Sequence, residues 1–116
     1  MNFTDRLREG KMSNKLFKAF QDEYPIYYEY ELVYFDEFVI FSIYNELKEK
    51  LSCYKLNEYG ISEMDEGGFA PDSVSAEIDF EKSCKIYRKF LKENFSKCNN
   101  NSCVKSDKVT EEINSL

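Results

Sequence analysis

Two periods of hydrophobic repetition divide this chain. Leu7, Leu16, Phe17 and Phe20 recur at helical spacing ahead of Pro25, which predicts a helix over residues 3–23 with a break near Gly10. Ser13 reads as the N-cap of its firmer half, about residues 14–23. From Ile26 the period becomes two. Ile26, Tyr28, Tyr30, Leu32 and Tyr34 then share one face of a strand, and Tyr27, Glu29, Glu31 and Val33 share the other. Asp36-Glu37 interrupts before Phe38–Tyr44, a nearly continuous apolar run of the kind a central strand carries. Phe35–Glu37 is either a hairpin turn or a bulge, and it lacks the Gly or Asn that a tight hairpin prefers.

Asn45–Asn57 predicts a helix with Leu47, Leu51 and Tyr54 on its inner stripe and Leu56 as a further candidate. A strand near Ile61–Asp65 follows, then the turn signal Glu66-Gly67-Gly68. Ser73–Ile78 alternates cleanly, with Val74, Ala76 and Ile78 inward. Asp79 is a natural N-cap for a last helix running to about Ser96. Its stripe is Phe80, Cys84, Tyr87, Leu91 and Phe95, with Ile86 and Phe90 beside it and Lys85, Arg88, Lys89 and Lys92 outside. Residues 97–116 form a polar tail in which Val109, Ile113 and Leu116 keep helical spacing. The expected fold is α+β: one domain over residues 1–96, in the order α-β-β-α-β-β-α, with helices packed on one face of a mainly antiparallel sheet.

With 116 residues, 42% of them hydrophobic, the chain can bury one core. No apolar run is long enough to span a bilayer, and the polar start Met1–Arg6 lacks the apolar core of a signal peptide. Both point to the cytoplasm, where the four cysteines, Cys53, Cys84, Cys98 and Cys103, are expected as thiols. The spacing of Cys98 and Cys103 would also suit a disulfide loop or half a zinc site. With no His and no second close Cys pair, no metal or other cofactor is expected.

The chain lacks the usual catalytic parts. Without His there is no imidazole base and no Ser-His or Cys-His nucleophile pair. Gly67-Gly68 follows Asp65-Glu66, whose charge would repel a phosphate. Paired carboxylates such as Asp65 and Glu66 would be the remaining resource of an enzyme, and the sequence is read as a non-enzyme.

Charge changes the picture most. Residues 19–47 hold seven acidic groups and no basic one, and residues 56–81 hold eight and none. Residues 82–108 hold eight basic groups against two acidic. Acid therefore gathers on the predicted strands and loops, and base on the helices. Such a negative field steers a basic partner and repels nucleic acid. Carboxylate interleaved with tyrosine suits a surface that receives Arg and Lys. The candidate contact residues are Glu29, Glu31, Asp36, Glu37, Tyr28 and Tyr30, then Asp65 and Glu66, with Tyr28 and Tyr30 alternatively core. The bland alternative is an ordinary solvated sheet face. The basic face of the last helix reads as solvated surface, because nucleic-acid binders are usually basic overall and this chain carries −6.

In its short, acidic, Lys-, Asn- and Tyr-rich make-up without catalytic groups, the chain resembles two kinds of small inhibitor. One is the phage-encoded anti-defence proteins of the anti-CRISPR type. The other is the bacterial immunity proteins that neutralise nuclease toxins. The resemblance implies an inhibitor that blocks a basic nucleic-acid-handling protein, acting in a host cytoplasm. A reading of a different class is a structural subunit that hides part of its sheet in a homo-oligomer.

Overall fold

A computed structural model describes residues 2–64, 79–95 and 103–104. Two helices, α1 (Phe3–Arg8) and α2 (Lys11–Glu23), precede four strands: β1 (Glu29–Tyr34), β2 (Val39–Tyr44), β3 (Lys50–Asn57) and β4 (Gly60–Glu63). Helix α3 (Phe80–Asn94) and the short β5 (Cys103–Val104) complete the described elements. The sheet runs β1-β2-β3-β4-β5. The first four strands form an antiparallel meander, and β5 pairs parallel to β4. The fold is α+β, with all three helices on one face of the sheet.

The helix break falls at Gly10, whose φ of +88° an L side chain rarely adopts. Gly10, and not Ser13, is the N-cap of α2. Ser13 lies inside the helix, and its hydroxyl donates back to the Gly10 carbonyl at 3.1 Å. Leu7, Leu16 and Phe20 are fully buried. Phe20 meets Phe41 of β2 edge-on at 5.4 Å, which fixes α2 across the sheet. Asp79 caps α3 by accepting from the Glu81 amide at 2.9 Å. Of the predicted stripe Cys84, Tyr87, Leu91 and Phe95 are buried and Phe80 is half-buried, while Phe90, placed beside the stripe, is buried too.

The predicted helix over Asn45–Asn57 is absent. Residues 45–49 form a turn and Lys50–Asn57 is strand β3. Asn45 builds the turn: its side-chain oxygen accepts from the Leu47 and Glu49 amides, and its amide nitrogen donates to Glu49. Lys48 takes a left-handed φ of 65°. Leu51, Ser52, Cys53 and Tyr54 are all buried, because β3 is a central strand covered on both faces. Such a strand shows no alternation, so its apolar residues can imitate a helix stripe. Leu47, placed inside by that stripe, is 79% exposed.

Phe35–Glu37 proves to be part of a hairpin turn. The Phe35 amide donates to the Phe38 carbonyl at 2.9 Å, and the two rings stack at 4.6 Å. The alternating segment Ser73–Ile78 and the turn at Glu66–Gly68 lie outside the described residues, as does most of the polar tail. That tail nevertheless supplies Cys103–Val104 to the sheet.

Candidate functional site

Strand β1 is an edge. It pairs with β2 on one side, and among the described residues no strand pairs with its other side. Its two faces differ in character. Tyr30, Leu32 and Tyr34 turn to the helices. Tyr30 packs on Phe17 at 4.8 Å and its hydroxyl donates to the Asn14 side chain. The Tyr34 hydroxyl donates to the Leu7 carbonyl at 3.3 Å, and the Arg8 guanidinium lies 4.8 Å over its ring. By alternation Glu29, Glu31 and Val33 stand on the opposite face.

The candidate contact residues therefore separate. Glu29 and Glu31 are brought together on one face, two residues or about 7 Å apart along the strand. Val33, on the same face, is 47% exposed. Tyr28 is 60% exposed beside them. Tyr30 is half-buried on the helix face, the core position that the shared face with Leu32 allowed. Asp36 and Glu37 are exposed at the hairpin tip, five or more residues from Glu31 and thus roughly 16 Å away along the chain. Asp65 and Glu66 lie outside the described residues.

One departure from strict alternation shapes this edge. The Tyr28 amide donates to the Tyr44 carbonyl at 2.8 Å, while Glu29 is the register partner of Tyr44. Two residues of one strand thus oppose one of the other, as in a β-bulge. The step sends Tyr27 inward, where it is fully buried, although a simple period of two placed it with Glu29 and Glu31. It leaves Tyr28 outside.

Electrostatics reinforce the geometry. Among the described residues no cation lies within 4 Å of the Glu29, Glu31, Asp36 or Glu37 carboxylates, although Lys55 is near enough to feel the charge of Glu37. Glu31 is instead approached by the Tyr44 hydroxyl, which donates to it at 3.4 Å. Burial, and then the charge of Glu31, push that hydroxyl above its ordinary pKa. Sequence reading did not place Tyr44 at this site, because the contact comes from cross-strand register and not from spacing in the chain.

Elsewhere the described residues offer less. On α3, Lys85, Lys89 and Lys92 are exposed and Arg88 is half-buried, while Lys82 pairs with Glu23 of α2 at 3.1 Å. The shallow groove between α2 and α3 mixes both signs, with Lys15, Lys89, Glu23 and Glu93 along it. Cys53 lies buried 3.7 Å from the Met64 sulfur and Cys84 is buried on the inner side of α3. Cys98 is outside the described residues, and Cys103 is known only as part of β5. Among the described residues no three Cys, Asp or Glu side chains gather as a metal site, and no helix is long and apolar enough to cross a membrane. Comparison with family models, curated proteins and solved structures finds no match to this chain.

Proposed function

We propose that this protein is a binding module whose acidic edge docks on a basic protein, as an inhibitor of a nucleic-acid-handling effector would. The observation that carries this reading is the pairing of half-buried Glu29 and exposed Glu31 on one face of an edge strand, with no cation at salt-bridge distance among the described residues. Unpaired like charges on a surface repel one another, so a cationic partner relieves a cost as well as adding attraction. Exposed Tyr28 and Val33 flank the carboxylates and supply apolar area that a docked Arg or Lys stem can cover. Anti-defence inhibitors and toxin-immunity proteins both answer to this chemistry, since members of each class often use acid to occupy a basic nucleic-acid channel. The hypothesis assigns the protein a stoichiometric role and no catalytic group.

The test is affinity capture from the native host with the wild type and with the Glu29→Lys, Glu31→Lys double variant, followed by direct binding at two ionic strengths. The wild type should retain a basic protein that the double variant loses. Its affinity should fall with salt, since the Debye length is about 10 Å at 0.1 M. Thermal melts should show both proteins folded. An equal affinity of the two for that partner would remove the acidic edge from the interface. A salt-insensitive, concentration-dependent mass of the free protein would favour an assembly subunit instead.

A further inference from the structure

The hairpin fixes where the backbone of β1 points. The Phe35 amide bonds across to Phe38, and the register continues unbroken from Tyr34↔Val39 to Glu29↔Tyr44. In an antiparallel ladder the hydrogen-bonding residues alternate. Val33, Glu31 and Glu29 therefore turn their amides and carbonyls to β2. Tyr30, Leu32 and Tyr34 turn theirs off the sheet, toward an edge that no described strand occupies. Six residues of strand with three outward-facing residues make a template for another extended segment.

We infer that β1 accepts an added antiparallel strand, and that this strand carries Lys or Arg at alternate positions. The inference rests on the proposed acidic-edge reading and specifies its mode. Because Glu29 and Glu31 bond inward to β2, residues facing them from an added strand fall in non-hydrogen-bonded pairs. There opposed side chains approach most closely. Basic residues at those positions meet the two carboxylates. The intervening residues bond to Tyr30, Leu32 and Tyr34, and their side chains lie toward the helices. On that side Arg8 already covers the Tyr34 ring, so positive charge is unwelcome there and the faces of the added strand are distinguished. Charge also disfavours a second copy as the occupant. Pairing β1 with itself about Tyr30 or Glu31 sets like carboxylates opposite each other, which is destabilising, and pairing about Leu32 leaves both carboxylates without a basic partner.

A capped peptide of about eight residues, strand length, alternating Lys and Thr is the probe. The expected result is that the amides of Tyr30, Leu32 and Tyr34 exchange freely in the protein alone and become protected when the peptide binds. A Glu/Thr peptide should not bind. Two N-methylated versions separate backbone pairing from simple charge attraction. Methylation at the Thr residues, whose amides face β1, should weaken binding about fivefold for each bond lost, while methylation at the Lys residues should change it by less than about twofold. Salt-sensitive binding that the Glu29→Lys, Glu31→Lys variant loses but that ignores both methylation patterns would keep the acidic-edge reading and overturn the added strand. Binding indifferent to salt and to the double variant would overturn both. Protection of the three amides in the free protein, at any concentration, would show the edge already occupied and overturn the inference as well.

Discussion

The hydroxyls of Tyr27 and Ser52 lie 3.0 Å apart in the buried interior, joining the entry to β1 with the middle of β3. A second pair, Tyr54 and Ser83, repeats the contact at 3.0 Å between β3 and α3. Each pair satisfies two buried polar groups that would otherwise be costly. Tyr27→Phe should therefore lower stability by about 1–2 kcal/mol, because it removes the partner 3.0 Å from the Ser52 hydroxyl. Adding Ser52→Ala should recover part of that loss. Urea denaturation of the double-mutant cycle measures the coupling, and strictly additive losses would show that the pair contributes nothing as a pair.

Helix α3 should be held chiefly by its buried stripe. Leu91 is fully buried and Leu91→Ala should cost about 2–5 kcal/mol. Chemical denaturation checks this directly. A loss well below 1 kcal/mol would mean that α3 can detach without consequence.

Lys48 offers the opposite kind of change. Its φ of 65° is unfavourable for an L side chain, whereas Gly adopts it readily. Lys48→Gly should raise stability by roughly 0.5–1 kcal/mol after the added freedom of the unfolded chain is subtracted. Lys48→Ala should give no such gain. The midpoint of thermal unfolding for the two variants decides it.

Alkaline pH should unfold the protein cooperatively. Burial raises the pKa of Tyr27, Tyr54 and Tyr87 above the ordinary value of 10.0. A raised folded pKa means that the unfolded chain loses these protons first. The stability they contribute is thus complete below about pH 10 and declines as pH rises beyond it. With no Trp in the chain, tyrosinate absorbance reports the event cleanly. Three tyrosines should ionise only together with loss of circular dichroism, and Tyr27→Phe should make the decline shallower. Ionisation of all nine tyrosines without unfolding would contradict the buried placement.

By itself the sequence determined the features that depend on neighbours in the chain. Apolar spacing within α2 and α3, the Asp79 cap, the break at Gly10 and the co-facial Glu29 and Glu31 follow from local geometry, where the period of the backbone fixes which side chains share a face. The concentration of acid over residues 19–47 is likewise a property of the chain alone. Tertiary structure decided what depends on cover and on pairing. Lys50–Asn57 became a strand because neighbours on both sides and cover on both faces reward burial of the consecutive run Leu51–Tyr54, which erases the alternation that would have announced it. Tyr27 turned inward because two residues share one partner at Tyr44, a step no spacing rule contains. That β1 has an open edge among the described residues, with Tyr30, Leu32 and Tyr34 directing their backbone groups away from β2, is a matter of strand order and register. Those are set by contacts between segments distant in the chain, and a periodic pattern within one segment carries no information about them.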